Sequence, residues 1–109
     1  LIAKSNATEF SALPAEAFTE KHQVISDIEE ALKSGFAYDK INYLMLMMVD
    51  PQVHYHVLPR YAEEREYGDK IYTDPGWPAV PDLSSGPVLE GDDLFAMRDY
   101  IRAHWPGTA

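Results

Sequence analysis

The stretch VDPQVHYHVLPRY, Val49 to Tyr61, places two histidines one residue apart in an otherwise apolar run. Read as a strand, it sends His54 and His56 to one face together with Gln52 and Leu58. Val53, Tyr55 and Val57 turn to the other face, where they can join a core. Two imidazoles held roughly 7 Å apart along a strand, twice the rise per residue, make a rigid polar platform. A neutral imidazole can serve as nucleophile, base, hydrogen-bond donor or metal ligand.

Three readings of the pair stand open. In the first, both are surface or hydrogen-bonded structural histidines. The second is a metal site, because His-x-His on a strand suits zinc; it needs a third ligand. His22 lies on or beside the apolar stripe of the first predicted helix and His104 ends the last one, positions suited to packing or capping, and spacing singles out no Asp or Glu. The third is phosphate chemistry, which needs more than spacing.

The elements that must position the pair can be read along the chain. Leu1 to Lys4 is a short strand-like opening, and SNATEFSALP is a connector. Phe18, Ile25, Ile28 and Leu32 recur at helical spacing, which predicts an amphipathic helix from about Pro14 to Ser34, with Pro14 in its first turn and Ser34-Gly35 as its stop. KINYLMLMMV is apolar on both alternating faces and predicts a central strand covered on both sides, its methionines filling core. VDPQ reads as a tight turn, so QVHYHVLP returns as the second strand of a hairpin. Beyond Arg60 comes a connection rich in Pro, Gly and acidic residues, with at most a short strand at Lys70 to Thr73 and with Tyr61, Tyr67, Tyr72 and Trp77 as packing anchors. Asp92 or Asp93 caps a last helix striped by Leu94, Met97, Ile101 and Trp105 and ended by Pro106-Gly107.

Composition narrows the classes. The 109 residues amount to one domain, and 46% hydrophobic with 25% charged residues is ordinary for a soluble globular protein. No apolar run approaches the roughly 20 residues of a membrane span, and no signal peptide pattern is present. The lack of cysteine removes disulfides and thiolate metal sites and suits a reducing, cytoplasmic setting. A net charge of −9 argues against a nucleic-acid partner, since phosphate neutralisation needs clustered Lys and Arg. The opening LIAK reads as the middle of a strand.

QVHYHVLPRY resembles the signature of the histidine triad superfamily, His-φ-His-φ-His-φ-φ with φ apolar, commonly followed by Pro-Arg. LIAKSNATEFSALP is similar to that family's strand and connector, and DPGWP resembles a segment of its bacterial members. The resemblance covers the chain to about Pro78 and is strongest over the ten motif residues. It implies an α+β fold, residues 1–109 forming a single domain: an antiparallel sheet of about five strands with a long helix and a C-terminal helix, usually a homodimer. The N-terminal part of the family fold, which supplies much of the nucleobase pocket, is expected to lie outside this chain.

The resemblance also implies a chemistry. It points to a nucleotide hydrolase or nucleotidyl transferase that cleaves a phosphoanhydride or phosphoramidate bond at the α-phosphate. His54, the middle residue, would form a covalent nucleotidyl-histidine. His56 would hydrogen-bond the phosphate oxygens, with Gln52 and Asn6 as supporting polar residues; Arg60 is a candidate phosphate clamp, with structural pairing to one of the many carboxylates as the alternative. No cofactor is required, and magnesium would accompany only a polyphosphate substrate. The alternative is a nucleotide-binding module with little or no catalysis. The chain departs from the family pattern in three places: Gln52 stands at the first triad position, Asn6 replaces the connector histidine, and LMLMMVDP, with Met48 where a polar residue is usual, replaces a glycine-rich phosphate loop.

Overall fold

Helix α1 spans Ala15–Phe36, and β1 (Lys40–Leu44) and β2 (His56–Arg60) follow it, then β3 (Arg65–Tyr67), β4 (Lys70–Tyr72) and helix α2 (Gly91–His104). A computed structural model describes residues 1–84 and 86–107 of the chain. A single 3₁₀ turn, Phe10–Ala12, precedes α1.

The start of α1 follows the sequence: Pro14 occupies the cap position and Ala15 opens the helix. Its end does not. The helix runs past Ser34-Gly35 to Phe36, and Ala37 takes the left-handed conformation, φ 48°, with its N–H donating to the carbonyl of Lys33. Gly35 has a different task. A Cβ placed there would lie 3.2 Å from a ring carbon of Tyr100 and 3.3 Å from the ring of His104, so the missing side chain admits α2 against α1. The Tyr100 hydroxyl donates to the Gly35 carbonyl at 2.7 Å across that crossing. Helix α2 begins at Gly91, with Asp92 and Asp93 in its first turn, where carboxylates favour the helix dipole, rather than at the cap. Leu94, expected on the buried stripe, is 49% exposed.

Strands β1 and β2 pair antiparallel as the predicted hairpin, with Leu44 opposite His56 and Lys40 opposite Arg60. The first strand is shorter than expected. Pairing ends at Leu44, Met47 sits at φ 53°, and Leu46, Met48 and Val49 are exposed, so residues 45–49 form a connecting loop and not a two-sided core strand. The opening strand shrinks to one bridge, Ile2 opposite His54. Strands β3 and β4 form a separate hairpin turned at Gly68, φ 63°; β4 is the strand expected near Lys70. In place of one five-stranded sheet, the described residues form two two-stranded sheets plus that bridge.

Few side chains leave solvent. Among the described residues Ile28, Ala31 and Val53 make the buried apolar core, and Arg60 is buried with them. The radius of gyration, 15.2 Å, exceeds the about 13 Å of a compact chain of this length, as expected for an open, flat body. No described helix is long and apolar enough to cross a membrane.

Candidate active site

The face assignment of β2 and the residues leading into it follows from their contacts. Tyr43 stands opposite Val57 on the hairpin and donates its hydroxyl to Glu29 of α1 at 2.6 Å. Tyr55 receives a hydrogen bond from Lys21 of the same helix at 3.0 Å, and Val53 is 2% exposed. Val53, Tyr55 and Val57 therefore face α1, and alternation turns His54 and His56 to the opposite side. Burial and hydrogen bonding to Glu29 both hold the Tyr43 hydroxyl protonated, well above its ordinary range.

The two imidazoles meet there. Their ring centroids lie 5.2 Å apart with planes at 74°, an edge-to-face pair closer than the strand rise alone requires. His54 is half-buried and His56 exposed. The Nδ1 of His54 lies 2.6 Å from the backbone carbonyl of Gln52. A carbonyl can only accept, so this contact calls for a proton on Nδ1, and in the neutral ring the lone pair then sits on Nε2.

Gln52 does more than lend its carbonyl. Its side-chain amide donates to the carbonyl of Ala3, and its N–H is held by the Asp50 carboxylate at 3.0 Å. The turn residues before the motif, Asp50 and Pro51, thus set where that carbonyl points. Ala3 in turn donates its N–H to the carbonyl of Val53 at 3.0 Å, and Tyr55 donates to Leu1 at 2.8 Å, clasping the segment that carries His54.

Asn6 and Arg60 are placed differently from the sequence expectation. Asn6 is exposed, and the His54 Nδ1 meets the Gln52 carbonyl in place of Asn6. Arg60 lies on the histidine face, opposite Lys40, but its guanidinium is committed to structure. It donates to Asp74 through Nε at 2.6 Å and Nη2 at 3.1 Å, to Asn42 at 2.7 Å and to the Ala79 carbonyl at 2.9 Å. The paired guanidinium holds the Asp74 carboxyl below its ordinary range. This network, 5% exposed at Arg60, pins the DPGWP segment to the end of β2 and leaves no charge turned toward a phosphate. Gly76 is obligatory within that segment, because a Cβ would fall 2.1 Å from the Val80 carbonyl oxygen. The role of Asp74 was missed in the sequence, although an acidic residue before Pro-Gly downstream of a buried arginine was a usable signal.

Two cavities flank the pair without containing it. One, of about 700 Å³, opens among α1, α2 and the β3–β4 hairpin; the other, about 550 Å³, lies behind Val53 and Tyr55. Neither is lined by His54 or His56. The metal reading still lacks its third ligand: among the described residues no group of three or more His, Cys, Asp or Glu is gathered to hold an ion.

No known family model matches this chain, and no curated protein matches it. A solved crystal structure of a histidine triad protein from Bradyrhizobium japonicum does, with a TM-score of 0.69 and 22% identity, over 96% of this chain and 72% of that one. The chain therefore has an α+β fold of the histidine triad type.

Proposed function

We propose that this chain belongs to the histidine triad superfamily and acts on nucleotides, cleaving a phosphoanhydride or phosphoramidate bond at the α-phosphate. The observation that carries the reading is the contact between His54 Nδ1 and the Gln52 carbonyl, beside a second, exposed imidazole. With the ring neutral, that contact puts the lone pair on Nε2, the form a nucleophile needs. In the first step Nε2 bonds to the α-phosphorus and the bond to the leaving group breaks, the leaving group taking its proton from solvent. His56 donates a ring N–H to a non-bridging oxygen as its charge grows. Water then attacks phosphorus, the N–P bond breaks, and nucleoside monophosphate leaves with His54 restored.

Gln52 supports the nucleophile through its backbone and cannot exchange a proton through its side chain. No metal is needed for the covalent step; magnesium would enter only with a polyphosphate substrate. The acting unit is a homodimer, a reading supported by the outer edge of β1, unpaired among the described residues, and by exposed Leu46, Met48 and Val49 beside it. The parent protein should hydrolyse an adenosine phosphoramidate or a diadenosine polyphosphate, and His54→Ala should lose that activity. Equal rates in the two proteins would defeat the proposal. Nucleoside monophosphate binding by calorimetry without turnover would favour the second reading, a nucleotide-binding module, which the missing phosphate loop supports.

A further inference from the structure

His54 lies outside the regular ladder. Pairing of β2 with β1 begins at His56, and the backbone at His54 is held by one bridge to Ile2. The separation and tilt of the two rings therefore depend on what fixes the residues around His54. Val53 is buried. Tyr55, between the two histidines, is held from the helix side by an unusual group of contacts.

The Lys21 ammonium lies 4.7 Å from the ring centroid of Phe18, 5.1 Å from that of Tyr55 and 5.2 Å from that of Phe10. It also donates to the Tyr55 hydroxyl at 3.0 Å. The rings support one another, Phe10 meeting Phe18 at 5.5 Å and the edge of Tyr55 at 6.2 Å. Phe10 comes from the 3₁₀ turn, Phe18 and Lys21 from α1, and Tyr55 is the residue just before β2. One cation thus joins three separate segments at the residue flanked by both imidazoles. Phe10 and Phe18 are 41% and 40% exposed, so apolar burial alone holds these rings weakly. The cation–π attraction supplies direction that burial lacks.

We propose that Lys21 is a positioning residue: its ammonium, caged by Phe10, Phe18 and Tyr55, fixes the strand segment that carries His54 relative to His56. The geometric claim is independent of the chemistry, and its consequence for nucleotide binding rests on the function proposed above. Lys21→Met keeps the aliphatic stem and removes the charge and the donor. Lys21→Arg keeps a cation that can stack on the same rings.

The test compares the imidazole ¹H–¹³C signals of His54 and His56 in the parent and both variants, with adenosine monophosphate affinity measured by calorimetry on each. Lys21→Met should shift both imidazole signals and weaken binding about tenfold, three ring contacts and a hydrogen bond being lost together; Lys21→Arg should return both toward the parent. Imidazole signals of folded Lys21→Met that overlay the parent's would overturn the inference, whatever its melting temperature, since the lysine would then be structural only. Should Lys21→Met fail to fold, Tyr55→Phe is read in its place: it removes only the hydroxyl that Lys21 grips, and unchanged imidazole signals there count against the inference equally. If the signals move while the parent binds no nucleotide, the functional proposal fails and the positioning role stands.

Discussion

Asp74→Ala is the most severe single change this fold should tolerate poorly, and its size can be worked from the contacts. The Arg60 and Asp74 side chains are 6% and 10% exposed, so solvent does little to screen their pair. Removing the carboxylate deletes two guanidinium contacts, at 2.6 and 3.1 Å, and the acceptor for the Tyr61 N–H at 3.1 Å. The guanidinium keeps only the neutral oxygens of Asn42 and Ala79. A buried charge left unpaired costs about 3–5 kcal/mol. Against a domain stability of about 5–15 kcal/mol, that is a large share. At roughly 4–8 °C per kcal/mol, the melting temperature should fall by at least about 12 °C. The control is Arg60→Met with Asp74→Leu, which removes both charges and should recover most of the loss. Urea unfolding followed by circular dichroism measures all three proteins. A loss under about 1 kcal/mol for Asp74→Ala, or a double variant less stable than the single one, would refute the reasoning. The acid limb gives a second check. Because Asp74 titrates below its ordinary 3.8 in the fold, the pair contributes fully above that value and is lost as pH falls through the folded pKa, a limb Asp74→Ala should flatten.

At the alkaline end the sign reverses. Burial and the bond to Glu29 raise the Tyr43 pKa above its ordinary 10.0, so stability present below pH 10.0 should fall as pH climbs beyond it, and Tyr43→Phe should shallow that slope in a pH series of unfolding curves. His56→Ala should lower nucleotide turnover by about 100- to 1000-fold, the usual cost of one oxyanion donor, in a steady-state assay. The same variant should change unfolding free energy by less than about 0.5 kcal/mol because the ring is exposed.

What the sequence made legible was local and periodic. The helical stripe from Phe18 to Leu32 belongs to α1, and His54 and His56 share a face because alternation leaves no other choice once Val53 is buried, whereas the tight turn read at VDPQ is part of a longer connection from Leu44 to His56. Non-local decisions were harder to read. Gly35 resembles a helix stop in sequence, yet its missing side chain serves the α2 crossing, which only the Tyr100 ring position reveals. LMLMM has strand composition, but pairing stops opposite His56 and Met47 turns the chain away. Arg60 suited either a phosphate or one of the many carboxylates, and which carboxylate claims it was hidden because Asp74 lies 14 residues downstream. The Gln52 carbonyl was invisible for a simpler reason: a backbone atom leaves no mark in the residue alphabet.

The central claim is that His54 Nε2 bonds to phosphorus, and trapping that bond tests it most directly. The parent, mixed with an adenosine phosphoramidate and quenched in alkali, where a histidine N–P bond persists, should yield by peptide mass spectrometry an adenylyl group on His54 alone, and His54→Asn should yield none. Turnover by the parent with no adduct on His54, or an adduct surviving in His54→Asn, would contradict the account.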